Sequence, residues 1–157
     1  FQKAVDMGPH NGEIYNNMGV VAMYQNDFEK AEQMFKEAEN FGKDAHYNMG
    51  LIAIEQGEYD KATRMLGTKD CDYNAGLAYL VAENYNKAES NLKCTRENLA
   101  ESYYLLAIVG SRTDNSEMMF EYLTKAIQAD GKFKEQAASD REFLDYNNEP
   151  DFQALVK

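Results

Sequence analysis

The stretch that decides the fold is residues 15–35, which read YNNMGVVAMYQNDFEKAEQMF. Gly19 stands among apolar residues, a polar turn follows, and Phe28, Ala31 and Phe35 come next at spacings of three and four. Residues at these spacings share one face of an α-helix. The stretch therefore predicts two helices that pack closely, with small residues at the crossing and large apolar residues around it.

The same arrangement recurs along the chain. After Gly19, the aligned small residues are Gly50, Gly76 and Ala107, at spacings of 31, 26 and 31 residues. Small residues at near-constant intervals are the signature of stacked helical hairpins. The second-helix residues that follow the small residues are Phe28/Ala31/Phe35, Tyr59/Ala62/Leu66, Tyr85/Ala88/Leu92 and, more loosely, Ser116/Met119/Leu123/Ala126.

Short polar turns are predicted between the paired helices, at residues 25–27, 56–58, 82–84 and 113–115. Asp, Asn and Gly suit both turns and the residue that caps a helix N-terminus. Gly67 is predicted to end the second helix of the second hairpin about a turn early. In the fourth hairpin, Asp114, Asn115 and Ser116 replace the expected aromatic residue, which predicts a looser turn.

This pattern resembles the tetratricopeptide repeat (TPR) family, whose 34-residue unit carries an aromatic, Leu-Gly, Tyr, Ala, aromatic, Ala and Pro. The match is degenerate and covers about residues 1–130. Tyr15 and Tyr103 stand at the first aromatic position, whereas His46 and Asp72 replace the aromatic residue in the second and third hairpins. The resemblance implies an all-α, right-handed α-α superhelix (TPR solenoid) of about four helical hairpins with a C-terminal capping segment.

The expected domain organisation follows from the phase of the repeat. Four TPR hairpins are expected at about residues 12–42, 43–68, 69–99 and 100–131. Residues 1–9 have the spacing of a remnant second helix from a preceding TPR, which implies more repeats upstream. Residues 132–157 are expected to form C-terminal capping helices, because an array needs a terminal element with a polar outer side; a flexible tail is the alternative.

The resemblance implies a non-catalytic scaffold that binds a peptide or partner segment in the concave groove lined by the first helices. The alternative is homo-oligomerisation or assembly within a larger multi-repeat protein. An Asn amide offers a donor and an acceptor to a peptide backbone, although such residues could equally stabilise the repeat. The groove candidates are Asn17, Asn48 and Asn74, the apolar stripe Val20, Leu51, Leu77 and Ile108, and the anchors Tyr47, Tyr73 and Tyr104. The stripe could instead be buried against neighbouring repeats.

Charge narrows the class of partner. The formal charge of −11 disfavours nucleic acid and anionic membranes as partners. The sequence has no run of about 18 apolar residues, so direct membrane insertion is not predicted. Arg112 is the one cation placed on the groove face, so neutral or basic segments with apolar side chains are the expected ligands. The early groove positions, which carry the wrong sign for clamping a carboxylate, are Glu13, Asp44, Asp70 and Glu101.

Catalysis is not expected from this chain. No P-loop, GxSxG, HExxH or Gly-rich dinucleotide turn occurs in it. His46 stands at a packing position of the repeat and is interpreted as structural. Neither a cofactor nor a metal site is predicted, because the two histidines and two cysteines lack zinc-ligand spacing.

Cys71 stands at the start of the first helix of the third hairpin, and Cys94 stands near the end of its second helix. An antiparallel hairpin would bring those ends together, so a disulfide is possible if the Cα atoms come within about 7 Å. Two reduced, half-buried thiols are the favoured alternative. Residues 103–115, YYLLAIVGSRTDN, resemble TPR proteins of bacterial cell envelopes, which favours the envelope or periplasm over the cytoplasm.

Overall fold

The structure is a computed structural model that describes residues 11–157, a range in which every regular element is helical. The predicted all-α fold of consecutive helical hairpins is confirmed. The remnant helix predicted at residues 1–9 lies outside the described residues. The elements are α1 (Gly12–Tyr24), α2 (Phe28–Asn40), α3 (His46–Glu55), α4 (Tyr59–Leu66), α5 (Tyr73–Val81), α6 (Tyr85–Cys94), α7 (Leu99–Arg112), α8 (Ser116–Ala129), α9 (Lys132–Ser139), a 3₁₀ segment (Arg141–Tyr146) and α10 (Pro150–Val156).

The chain divides into two compact units, which we describe separately. In the described part of the chain, unit 1 is residues 11–68 and contains the hairpins α1–α2 and α3–α4. Unit 2 runs from Lys69 to Lys157 and contains α5–α6, α7–α8 and the C-terminal elements. None of the helices in residues 11–157 is long and apolar enough to cross a membrane.

Three glycines set the distance between paired helices. A Cβ atom at Gly50 would come within 2.7 Å of the Leu66 side chain, and one at Gly76 within 2.6 Å of Leu92. A Cβ at Gly19 would overlap the ring of the buried Phe35 in the same way. The equivalence of the three glycines, predicted from spacing, is thus confirmed. Each large second-helix side chain fills the space that the missing Cβ leaves.

The four hairpin turns share one backbone conformation. The middle residue of each turn is left-handed, namely Asn26 (φ 58°), Gly57 (73°), Glu83 (59°) and Asp114 (54°). In the fourth hairpin, the Asn115 side chain then accepts a hydrogen bond from the backbone N of Met118 at 3.0 Å. The prediction of a looser turn there is wrong, because the turn and the side-chain cap of the second helix supply the geometry without an aromatic residue.

Helix α4 ends at Leu66, as the glycine that follows it predicts. Gly67 has φ −67° and is therefore right-handed, so the left-handed cap that usually requires a glycine is not formed here. The helix has eight residues, compared with 13 in α2. This shortening accounts for the spacing of 26 residues between Gly50 and Gly76.

Unit 2 includes a disulfide between Cys71 and Cys94, whose Cα atoms lie 4.9 Å apart. Cys71 comes just before α5 and Cys94 is the last residue of α6, so the antiparallel hairpin brings them together. The expectation of two reduced, half-buried thiols is wrong on both counts, because both residues are exposed as well as bonded.

Within unit 2, the C-terminal elements pack against α7 and α8 through three buried aromatic side chains, Phe133, Phe143 and Phe152. The Tyr104 ring of α7 stacks on Phe133 with centroids 4.7 Å apart and meets Phe143 edge-on at 5.7 Å. Residues 132–157 therefore share one hydrophobic core with α7 and α8. A flexible tail is excluded for these residues, while their role as the cap of a longer array stays a prediction.

The Glu142→Ala substitution tests how strongly this segment is held. Arg112 donates to both Glu142 carboxylate oxygens, at 2.8 and 2.6 Å, and the pair is two-thirds covered or more. Bidentate, partly covered pairs are stronger than ordinary surface ion pairs. We expect a loss of about 1 to 2 kcal/mol in the free energy of unfolding, measured by urea titration. The control Glu135→Ala removes an exposed carboxylate of α9 and should change little; equal effects would contradict the prediction.

Candidate functional site

Unit 1 contains a pocket of about 390 Å³ between its two first helices, α1 and α3. Its walls come from residues 20–24 of α1 and 48–55 of α3, and it extends to the α1–α2 turn and the first residue of α2. The side chains are mainly apolar, with amides and one carboxylate at the edges. The lining residues are Val20, Met23, Tyr24, Asn26, Phe28, Asn48, Leu51 and Glu55.

Three residues predicted for a groove meet in this pocket: Val20, Asn48 and Leu51. All three are half-buried, so part of each stays accessible. Asn17 is exposed and Tyr47 is half-buried, on the same two helices but outside the pocket lining. The pocket thus contains both unit 1 residues of the apolar stripe, but only one of the two groove asparagines predicted in this unit.

The amide partner of Asn48 is Asn16, not Asn17. The Asn48 Nδ2 donates to Asn16 Oδ1 at 2.9 Å, and the pair joins α1 to α3. Each Asn side chain has one carbonyl oxygen and two N–H groups. One carbonyl oxygen and three N–H groups of the pair therefore remain for other hydrogen bonds. The pair therefore both links the two helices and keeps the capacity to bond to a peptide backbone, which are the two roles considered for the groove asparagines.

Sequence analysis missed two prominent residues of the pocket, Tyr24 and Glu55. Tyr24 is 87% exposed although it is a large aromatic residue. Glu55 has no ion-pair partner among residues 11–157. Both stand four residues after a predicted groove position, Val20 and Leu51 respectively, so extending the stripe by one helical turn would have found them.

In unit 2 the predicted groove residues divide into two groups. Tyr73, Asn74 and Leu77 of α5 are half-buried. Tyr104 and Ile108 of α7 are buried, at 3% and 8% exposure, so the expectation that they face a partner does not hold.

The physical reason is the C-terminal segment, which reaches the face of α7 that carries Tyr104. The Tyr104 hydroxyl donates to Asp140 Oδ2 at 2.7 Å. Burial, followed by the Asp140 carboxylate, raises the pKa of Tyr104 far above its usual range. The hydroxyl therefore stays protonated and serves this internal hydrogen bond.

The charges expected on the groove face are largely paired within the chain. Glu13 lies 3.3 Å from Lys43, and Glu101 lies 2.9 Å from Lys132, whose hydrogen bond lowers the pKa of Glu101. Arg112, the one cation placed on the groove face, is bonded to Glu142. The acidic character of the first helices is therefore unbalanced mainly at Glu55.

His46 is exposed, which corrects its interpretation as a packing residue. Its Nδ1 lies 2.9 Å from Glu39 Oε1 and 3.0 Å from Asp44 Oδ1, and Asp44 also accepts a hydrogen bond from the His46 backbone N. These contacts fasten the connection between α2 and α3. The three side chains offer ligand atoms within 4.8 Å of one another, and the hydrogen bond among them joins His46 Nδ1 to Asp44 Oδ1.

Comparison with known proteins bears on two of the hairpins. A family model described as "Tetratricopeptide repeat" matches residues 12–40 and 100–133. These two hairpins match tetratricopeptide repeats. The first covers α1–α2 and the second covers α7–α8 and the start of α9. No curated protein matches the chain at a significant level.

Between the two matched hairpins, Gly50 and Gly76 provide the same packing of a glycine against a large second-helix side chain. TPR hairpins generally mediate protein–protein interactions, and the family is generally a non-catalytic interaction module. One helix of the pocket, α1, thus belongs to a matched hairpin, and the other, α3, belongs to the hairpin that follows it.

Proposed function

We propose that this chain is a non-catalytic protein-interaction module that binds a peptide or a partner segment at the pocket between α1 and α3. The observation that carries the proposal is an accessible, mainly apolar pocket on the first helices of unit 1. Largely apolar concavities with a few polar groups are the usual form of a binding site.

The chemistry of the lining supports a peptide as the ligand. Leu51, Val20 and Met23 can bury an apolar side chain, while Asn48 can bond to peptide backbone groups. Tyr24 adds an exposed aromatic ring at the edge, and tyrosine is enriched among residues that dominate interface energetics. Association of one copy with another at the same surface is the competing possibility.

The Leu51→Glu substitution tests the pocket. Peptides that bind the full chain are selected from a random display library, and the affinity of an enriched synthetic peptide is measured by calorimetry. A carboxylate in place of Leu51 removes apolar contact and desolvates poorly, so we expect at least about tenfold weaker binding, or about 1.4 kcal/mol. The matched control is Leu144→Glu, which alters an exposed leucine of unit 2.

Circular dichroism of both variants checks that the helices remain intact. Unchanged affinity in a folded Leu51→Glu variant would overturn the proposed site. Light scattering over a range of concentrations tests self-association separately: a mass that rises with concentration and returns to the monomer value in the Leu51→Glu variant would favour the homo-oligomeric alternative.

We also propose an oxidising compartment, such as a bacterial periplasm, as the site of action. The support is the disulfide of unit 2, because disulfides persist in oxidising compartments and are rare in the cytosol. Trapping the free thiols in cells with a membrane-permeant alkylating reagent tests this. Fully modified cysteines would contradict it.

A further inference from the structure

We infer that the pocket between α1 and α3 takes a basic segment of a partner protein, in which an apolar side chain and a lysine or arginine stand two positions apart. This inference rests on the proposed function and specifies the chemistry of its ligand. It commits to a cationic partner, where composition alone allows neutral or basic ones.

The first step is the charge at the pocket. Glu55 is the charged residue of the lining, which includes neither Lys nor Arg. Glu13, the other carboxylate of α1 and α3, already pairs with Lys43, whereas Glu55 has no ion-pair partner in the described chain. Residues 11–68 contain ten acidic and five basic residues, so the surroundings reinforce the negative sign rather than cancel it. A cation at Glu55 is the complementary group.

The second step is an internal precedent in unit 2. Superposing Ala107 on Gly19 in the repeat makes Tyr104 equivalent to Asn16, Ser111 to Met23, and Arg112 to Tyr24. These three α7 residues bond to the chain's own C-terminal segment, through Asp140 to Tyr104 and through Glu142 to Ser111 and Arg112. The same face of a first helix therefore accepts a short segment, in which the Glu142 carboxylate pairs with the Arg112 guanidinium.

In unit 1 the equivalent face has the opposite electrostatic character. Met23 and Tyr24 replace the hydrogen-bonding Ser111 and Arg112, and Glu55 of the neighbouring first helix provides a carboxylate. An acidic segment like the one bound in unit 2 would be repelled there. This also argues against the C-terminal segment of a second copy, since Asp140, Glu142 and Asp145 make it acidic.

The third step is the spacing of the two determinants. Leu51 and Glu55 are four residues apart on α3, so their Cβ atoms lie about 6 Å apart. In an extended segment, residues i and i+2 project to the same side and lie about 6.6 Å apart. An apolar residue over Leu51 therefore places a residue two positions away over Glu55. The Asn16–Asn48 pair can bond to the backbone of such an extended segment.

The charge-reversal variant Glu55→Lys tests the inference on the full chain. Random peptides are selected separately on the natural chain, on Glu55→Lys and on Glu29→Lys, a control that reverses an exposed carboxylate of α2 outside the pocket. We expect the natural chain and the control to enrich peptides with Lys or Arg two positions from Leu, Ile, Met or Phe. The Glu55→Lys variant should enrich peptides with Asp or Glu at that position.

Calorimetry then compares an enriched basic peptide with its counterpart in which the cation is replaced by Glu. The basic peptide should lose about fivefold to tenfold in affinity on Glu55→Lys, and the acidic counterpart should gain. Peptides that depend on Leu51 but show no preference for a cation would overturn this inference and leave the proposed site standing. Peptides whose binding is indifferent to Leu51→Glu would overturn both.

Discussion

Replacing Gly110 with alanine is expected to destabilise unit 2 by about 2 to 3 kcal/mol. A Cβ atom at this position would lie 2.6 Å from the backbone N of Met119, 2.9 Å from its Cα and 3.1 Å from the Asn115 carbonyl oxygen. All three are backbone atoms at the start of α8, so no side-chain rotation relieves the overlap. The two helices would have to separate, and overpacking of this kind typically costs 1 to 3 kcal/mol.

Helix propensity works in the opposite direction, because alanine is favoured over glycine in a helix by about 1 kcal/mol. The overlap is expected to exceed this gain, since it is distributed over three backbone contacts. Urea unfolding of the full chain, followed by circular dichroism, measures the difference. Gly131→Ala is the matched control, because nothing lies within 4 Å of a Cβ there, and it should change the stability by less than about 0.5 kcal/mol. A Gly110→Ala variant as stable as the natural chain would contradict the close approach.

The hairpins could be predicted from the sequence because the information is local. Gly19 and Phe35 are separated by less than one repeat, and their sizes alone specify how closely α1 and α2 pack. The turns follow from the same locality, since Asn26 and Gly57 tolerate the left-handed conformation that each turn requires. Glu83 adopts it too, although its type gives no such signal.

The burial of Tyr104 could not be predicted in this way. It depends on residues 132–157, where the repeat pattern is lost and the partner of each aromatic residue is chosen by tertiary packing. Tyr104 has the same position in its helix as Asn16 has in α1, yet one is covered and the other joins an accessible helix pair. Position within a repeat indicates which face a residue occupies, but not what covers that face.

The position of Asn17 relative to the Asn16–Asn48 pair has a simple geometric basis. One residue rotates the side chain by about 100° around an α-helix. Asn16 and Asn17 therefore point in clearly different directions, so an inference about one position does not transfer to its neighbour. Asn48 bonds to Asn16, while Asn17 remains exposed, and its contact with a peptide stays a prediction.

Reducing the disulfide is expected to lower the free energy of unfolding of unit 2 by about 3 kcal/mol. The bond joins residues 23 apart in sequence, and closing a loop of this size restricts the unfolded chain by roughly that amount. It also fixes the residue before α5, because Cys71 itself has a left-handed backbone with φ 58°. For a residue with a Cβ atom this conformation costs about 1 to 2 kcal/mol, and the cross-link helps to hold it.

Urea unfolding with and without dithiothreitol measures the effect, and the Cys71→Ser/Cys94→Ser double variant is the control. Dithiothreitol should shift the natural chain to the stability of the double variant and should leave the variant unchanged. Amide hydrogen exchange should show the loss of protection in α5 and α6, while α1 and α2 of unit 1 keep theirs. If reduction leaves the unfolding midpoint in place, the folded hairpin alone sets the distance between Cys71 and Cys94. The cross-link would then follow from the fold instead of supporting it.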